Sequence, residues 1–303
     1  MSRSEGLLSC IGGTPLIRLR VPAAERRAQV WCKLEFMNPG GSSKDRMCLA
    51  IVRDMEAKKM IKPGDCLVEA SGGNTAISLA MIAAAKGYSL VLVMPETISA
   101  ERRRLLSAYG AEIALTAPSN GMRGSVTRAT EILGSMKRGF MINQFENPIN
   151  PDIHRRTTAR EILKSLGRVP DVFVAGVGTG GTFTGVGEVF KKENPAVKLV
   201  AVEPAESAIL TGGNPGPHRI PGIGAGFIPA NLNADIIDDV ADVSYEEAAE
   251  TVRLMAEHAG IYAGLSSGAA VHEALRQAER LTPDKVVVTI CCDAGERYVC
   301  FAR

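Results

Sequence analysis

The run Asn38-Pro39-Gly40-Gly41-Ser42-Ser43-Lys44-Asp45-Arg46 sets a lysine directly after a glycine-rich turn and at the start of a helical pattern. Glycines let the backbone turn tightly and come close to a ligand. Met47, Leu49, Ala50, Ile51 and Val52 supply the apolar face of the helix that follows. A lysine at such a junction can bind an anion, or act as an amine that forms a Schiff base with a carbonyl. Taken alone, a solvated surface lysine explains it as well.

Three more glycine-rich turns bear on that choice. Glu69-Ala70-Ser71-Gly72-Gly73-Asn74-Thr75 follows an apolar run and opens a second helical pattern. Amides at a helix start, with small hydroxyls beside them, suit a carboxylate or a phosphate; an ordinary cap by Ser71 or Asn74 would use the same residues. In Gly176-Val177-Gly178-Thr179-Gly180-Gly181-Thr182-Phe183-Thr184-Gly185, the glycines at 176, 178 and 181 satisfy a dinucleotide-binding spacing, and Glu203 stands where a ribose-binding acid is expected. Against that, Thr179, Thr182 and Thr184 crowd the turn with hydroxyls, which fits a compact terminal phosphate better than a pyrophosphate. In Gly264-Leu265-Ser266-Ser267-Gly268, Ser266 is either a helix cap or a neutral hydroxyl for a ring nitrogen. An amine, two anion cradles and a neutral hydroxyl match a cofactor with an aldehyde, a phosphate and a pyridine nitrogen, as in pyridoxal phosphate.

Positioning these turns requires strands that end beneath them. Periodicity predicts strands over 30–35, 66–69, 89–94, 113–116, 140–143, 172–175, 199–202 and 286–290. Helices are predicted over 45–59, 75–86, 100–109, 122–137, 151–166, 182–192, 245–258 and 267–280. Near-continuous apolar strands alternating with helices predict an α/β fold of parallel sheets covered on both faces, doubly wound. The segment 147–151, rich in proline and asparagine, reads as a crossover between subdomains, and 211–230 as a long functional loop.

The chain has 303 residues, of which 46% are hydrophobic, enough for two domains or one large one; a net charge of +2 and 5% aromatic content give no sign of nucleic-acid binding. The seven cysteines form no Cys-x-x-Cys pair and are expected as free thiols in a reducing, cytoplasmic setting. The four histidines (His154, His218, His258, His272) are scattered, so no metal site is expected. Met1–Glu5 lacks the layout of a secretion signal.

These motifs resemble the cysteine synthase (O-acetylserine sulfhydrylase) family of tryptophan-synthase-like pyridoxal phosphate enzymes. The likeness continues in Ile11-Gly12-Gly13-Thr14-Pro15-Leu16, Met94-Pro95-Glu96-Thr97, Gln144-Phe145-Glu146-Asn147-Pro148, Pro215-Gly216-Pro217-His218, residues 222–229 and Gly295-Glu296-Arg297-Tyr298, and so runs nearly end to end. It implies two doubly wound, open-sheet subdomains of the tryptophan synthase β-like fold. Residues 1–40 and 147–303 would form a large cofactor-binding domain, and 41–146 a smaller mobile one. It implies β-replacement: O-acetyl-L-serine and sulfide give L-cysteine and acetate through an α-aminoacrylate. Lys44 is implied as the Schiff-base lysine and Asn74 as the partner of the ring hydroxyl. Gly178, Thr179, Gly180, Gly181 and Thr182 would form the phosphate loop, with Ser266 against the ring nitrogen. Ser71, Gly72, Thr75 and Gln144 would hold the substrate carboxylate. A homodimer, and a serine acetyltransferase C-terminal tail as partner, are implied likewise.

Two positions depart from the family pattern. The family usually has Thr-Ser-Gly-Asn-Thr-Gly in the carboxylate loop, and here Gly72 replaces the central serine. Ser43 replaces a usual valine or isoleucine. Gly226 stands where cystathionine β-synthases and some sulfide-releasing relatives carry an acid, which favours cysteine synthesis. The loss of the hydroxyl at Gly72 keeps open a related β-elimination enzyme, such as a sulfide-releasing cysteine lyase. The sequence ends shortly after Tyr298, and a regulatory domain is not expected.

Overall fold

Short β-branched runs form the strands and longer amphipathic runs the helices. In chain order the elements are β1 (Leu16–Arg18), β2 (Gln29–Leu34), α1 (Lys44–Ala57), β3 (Cys66–Ala70), α2 (Asn74–Lys86), β4 (Ser89–Pro95), α3 (Ala100–Ala108), β5 (Glu112–Thr116), α4 (Gly121–Ser135) and β6 (Gly139–Phe140). There follow α5 (Ile149–Arg156), α6 (Thr158–Leu166), β7 (Val172–Gly176), α7 (Gly181–Glu193), β8 (Lys198–Pro204), β9 (Asp239–Val243), α8 (Tyr245–Ala259), α9 (Leu265–Glu279) and β10 (Val286–Cys291). The structure, a computed structural model, describes residues 6–22 and 27–301. Met1–Glu5, considered above for a leader, lies outside them.

The chain divides into two compact units: Lys44–Ile149 with Met1–Ile11, and Gly12–Ser43 with Asn150–Arg303. The first holds an all-parallel sheet in the order β5-β4-β3-β6. Val68, Ala70, Val91 and Val93 share one face of it and pack with Ala129 of α4. The second holds a six-stranded sheet in the order β1-β2-β10-β7-β8-β9, parallel except for β1, which runs antiparallel to β2. Alternate residues of its strands enter opposite cores, Val172 and Val174 on one side and Phe173 and Ala175 on the other. Phe173 meets Phe190 of α7 edge to face, with ring centroids 5.4 Å apart, which fixes α7 on the sheet.

Four expectations need correction. The helix expected over 151–166 is two helices. Thr157 leaves the helical region (φ −120°, ψ −72°), and its hydroxyl and its amide both bond the Ile153 carbonyl, a side-chain competition that breaks the run. The strand expected over 140–143 stops at Phe140 because Ile142 turns its amide to the Glu69 carboxylate and Asn143 turns left-handed (φ +51°). Strands β1 and β9 had escaped notice. The first is three residues long, and the second carries Asp239 and Asp242, which hide its β pattern. Among the described residues, no helix is long and apolar enough to cross a membrane.

Lys33 of β2 is wholly buried. Its ammonium donates to Glu161 Oε2 at 2.6 Å and to the Thr14 carbonyl, while Glu161 Oε1 accepts the Gly13 amide at 3.0 Å. The pair therefore ties α6 to the start of the sheet. Removing one partner of a buried pair strands the other charge. Glu161→Gln is expected to lower stability by about 3 kcal/mol, the low end for a buried pair because Glu161 keeps some contact with water. Urea unfolding followed by circular dichroism checks this, and Lys33→Met with Glu161→Gln should recover part of the loss.

Candidate active site

The residues singled out by sequence divide between the units. The first unit holds Lys44, Ser71, Gly72, Asn74, Thr75 and Gln144, and the second holds Gly178–Thr182 and Ser266. Lys44 is the first residue of α1 and Asn74 the first of α2. The two helices meet near these ends: the Ser78 hydroxyl donates to the buried Asp45 carboxylate, and Cys48 Sγ lies 3.8 Å from the Thr75 carbonyl. The four residues of these two contacts fall in the first five positions of their helices, so the amine and the 71–75 loop lie at one end of the helix pair. Burial pushes the Cys48 thiol well above its usual range, with the Asp45 charge adding to the effect, so it is a packing group there.

Helix α2 has Gly73 at its capping position and no side-chain cap. Ser71 is not that cap; its hydroxyl only accepts the Gly73 amide, at a long 3.4 Å. The Thr75 hydroxyl donates to Gln144 Oε1 at 2.6 Å, and both side chains are buried. Uncapped amides, a nearby hydroxyl and an oriented carboxamide are the kind of donor set a carboxylate receptor requires. The departure at Gly72 has a steric counterpart. A Cβ there would sit 2.7 Å from both Cγ1 and Cδ1 of Ile98, so the isoleucine fills the space a side chain at 72 would need. The Arg102 guanidinium donates to the Gly72 carbonyl at 3.3 Å, holding the loop from the same side.

In the second unit, β7 runs into the turn 177–180, and α7 starts behind Gly180, again with no side-chain cap. Gly180 needs its freedom: φ is +80°, and a Cβ would lie 2.8 Å from the Leu232 amide nitrogen. A Cβ on Gly178 would collide with the Gly222 carbonyl, and one built on Gly222 would lie 3.6 Å from Ser266 Oγ. Gly222 therefore links the phosphate loop to Ser266, which is buried in the first turn of α9. The neighbouring Ser267 is committed elsewhere, its hydroxyl accepting the Cys292 amide at 2.9 Å. The run 264–268 also fits Gly-x-Ser-x-Gly, but it follows an isolated bridge at Ala263 rather than a strand, so it is not a strand-to-helix nucleophile elbow.

The threonines of the loop sort by partner. Thr184 is structural, its hydroxyl accepting the Asn233 amide at 2.9 Å. The Thr179 hydroxyl accepts from Asn150 Nδ2 at 3.0 Å, and Thr182 Oγ1 lies 3.2 Å from His154 Nε2, whose other ring nitrogen is 2.9 Å from Thr158 Oγ1. Sequence reading missed Asn150 and His154 as supports of this loop. Their i, i+4 spacing on α5 was the available signal. The dinucleotide reading loses its acid: buried Glu203 accepts the amides of Leu210 and Thr211 at 2.7 and 2.9 Å, anchoring the long loop.

Amides at an uncapped helix start, flanked by two hydroxyls in place and backed by glycines where a Cβ has no room, are the donor set of a phosphomonoester. A neutral buried serine on the same wall suits a pyridine nitrogen. Taken unit by unit, the residues present fit pyridoxal phosphate: in the second unit Gly178–Thr182 suit its phosphate and Ser266 its ring nitrogen, and in the first Lys44 offers an amine for its aldehyde carbon and Asn74 an amide for its ring hydroxyl.

Restoring a hydroxyl at position 72 tests the steric reading. Gly72→Ser alone is expected to cost about 1 kcal/mol through overpacking against Ile98. Adding Ile98→Ala should recover that loss and lower KM for the amino-acid substrate, as read by thermal melts and initial rates of the three variants.

Residues 7–293 match the family described as pyridoxal-phosphate dependent enzyme. A cysteine synthase of Staphylococcus aureus (strain Mu50 / ATCC 700699) is 49% identical over 297 residues, covering 97% of this chain and 95% of its own. The crystal structure of an O-ureido-L-serine synthase superposes with a TM-score of 0.95 at 43% identity, over 98% of this chain and 94% of its own. That of a hydrogen sulfide-producing enzyme from Fusobacterium nucleatum gives 0.93 at 38% identity, over 98% and 100%. With its uncapped phosphate loop, its helix-opening lysine and this likeness along almost its full length, the chain belongs to the pyridoxal-phosphate-dependent enzymes.

Proposed function

We propose that this protein is a cysteine synthase, replacing the acetoxy group of O-acetyl-L-serine with sulfide to give L-cysteine and acetate. The observation that carries this reading is the Thr75–Gln144 hydrogen bond beside the uncapped start of α2, which builds a receptor for the carboxylate of an α-amino acid. The identity of 49% with a cysteine synthase over 97% of the chain supports it.

Pyridoxal phosphate, when bound, supplies an electron-withdrawing ring that makes the Cα proton of the amino acid acidic. The side chains of the protein do the rest. Lys44 Nζ would anchor the cofactor and, once displaced by the substrate amine, take the Cα proton. Ser71, the backbone at Gly72, Thr75 and Gln144 would hold the carboxylate and so orient the Cα–H bond toward that amine. Ser266 presents an uncharged hydroxyl, which has no negative charge to keep a ring nitrogen protonated. Acetate leaves from Cβ and sulfide adds there.

A second reading is a sulfide-releasing cysteine lyase or a cystathionine β-synthase-like enzyme. Gly72 favours it, because the carboxylate loop lacks one hydroxyl. Gly226 speaks against it, being exposed with nothing within 4 Å of a Cβ position and offering no acid for a second amino acid or a water. The proposal extends to a cytoplasmic homodimer with 41–146 as its smaller mobile domain, and to the C-terminal tail of a serine acetyltransferase as a candidate partner; light scattering with and without such a tail peptide checks both.

Pure protein given O-acetylserine plus sulfide is expected to form cysteine faster than it releases sulfide from cysteine alone, and the reverse ranking would sink the first reading. Lys44→Ala is expected to abolish turnover, and borohydride treatment should then leave no coenzyme-derived mass on the chain.

A further inference from the structure

Among the described residues of the first unit, Glu69 is one of three buried acids, with Asp45 and Asp65, that the proposed chemistry does not use. It lies near the end of β3, two residues before Ser71, with 4% of its surface exposed. Its Oε2 accepts the Ile142 amide at 3.3 Å, and the backbone of Asn143 also bonds it. These two residues lead directly into Gln144. Asn143 is one of two described non-glycine residues with positive φ, at +51°. Beyond it the chain folds back tightly: the amides of Glu146 and Asn147 both bond the Asn143 carbonyl, and Asn147 Nδ2 bonds that of Ile142. Gln144 in turn receives the Thr75 hydroxyl at 2.6 Å, and Thr75 follows Glu69 by six residues.

The result is a closed ring within one unit. It runs from Glu69 through the amides of 142 and 143 to Gln144, across to Thr75 and back along the loop to Glu69. We propose that Glu69 is a positioning residue that holds Gln144 against Thr75 and thereby shapes the substrate-carboxylate receptor. This inference rests on the reading that Ser71, Thr75 and Gln144 bind that carboxylate. A left-handed asparagine persists only where its surroundings over-determine it, and the amide-to-carboxyl bonds supply that determination.

The chemistry of the acid agrees with this role. Burial pushes the Glu69 carboxyl up to about 8, with the backbone amides of Ile142 and Asn143 pulling the other way. At neutral pH the group is therefore mostly uncharged. It accepts backbone amides without placing a negative charge beneath a loop that must attract an anion.

The test compares binding of L-alanine, which carries the carboxylate but no β-leaving group, with L-alaninamide, which lacks it, by isothermal titration of the holoenzyme. Glu69→Met keeps the side-chain volume and removes both acceptors. It is expected to weaken L-alanine roughly five- to tenfold and leave L-alaninamide unchanged. In turnover, KM for the amino acid should rise with kcat unchanged. Gln144→Ala should weaken L-alanine at least as much, and the double variant no further than Gln144→Ala alone. Should Glu69→Met fail to fold, Glu69→Asp, which keeps the acid and shortens its reach, is expected to show the same selective loss. Wild-type L-alanine binding in a folded Glu69 variant, with Gln144→Ala impaired, overturns the role of Glu69. Wild-type L-alanine binding in Gln144→Ala instead overturns the carboxylate reading itself, and this inference with it. A loss of both ligands in equal measure marks Glu69 as merely structural and overturns the proposal.

Discussion

A helix that starts above the end of a parallel strand presents amides that have no partner within the helix, and the functional groups of this protein are arranged around that constraint. Two helices away from the candidate site satisfy these amides with their own side chains, while α4 and α6 start without a side-chain cap. Ser99 caps α3, and Ser244 with Glu247 forms a complete capping box on α8. The helices carrying Asn74, Thr182 and Ser266 have glycine at the capping position and no side-chain cap. An amide left open in a water-excluding setting costs free energy until something binds it. A missing cap is shared with α4 and α6 and so does not mark a site by itself; at these three starts it is the adjoining glycine turns that make a commitment to ligands the reading proposed above.

The strands below make that commitment affordable. Within the second unit both faces of the sheet are packed with large side chains, and β7, β8 and β10 are almost entirely buried. Such close packing leaves little room for the strand ends to move, so the turn 177–180 starts from a fixed place. Its glycines then meet neighbours that admit no Cβ: Gly222 against Gly178, Leu232 against Gly180, Asn150 against Gly181. The loop is shaped by its surroundings, and the hydroxyls of Thr179 and Thr182 are set by Asn150 and His154 behind it.

Much of this could be read from the residues in order. The repeating strand, glycine turn and helix are encoded in local periodicity and in residues whose φ and ψ demands are their own, so the turns holding Lys44, Asn74, Gly178–Thr182 and Ser266 were legible, as were seven of the longer strands to within a residue or two. What failed depended on partners remote in sequence. The strand expected to reach Asn143 ends early because an acid 73 positions away draws off its amide. The helix expected over 151–166 breaks at a threonine whose hydroxyl adds a second bond to the Ile153 carbonyl beside the amide's own, and whose backbone leaves the helical region there. Strand β9 carries aspartates because it closes the edge of the sheet, where half its surface meets water.

The amino-acid order by itself determined which chemical groups the protein has and which turns present them: an amine at 44, anion cradles at 71–75 and 178–182, a neutral hydroxyl at 266. Only the tertiary structure decided which of several equivalent groups are available. It gave Ser267 to a backbone amide and left Ser266 facing Gly222, spent Thr184 and Glu203 on loops, filled the space above Gly72 with Ile98, and set Gln144 on Thr75 from 69 residues away. The physical reason is that a hydrogen bond saturates. Each donor hydrogen and each lone pair serves few partners, and those partners are chosen by the fold, not by the neighbouring residues in the chain.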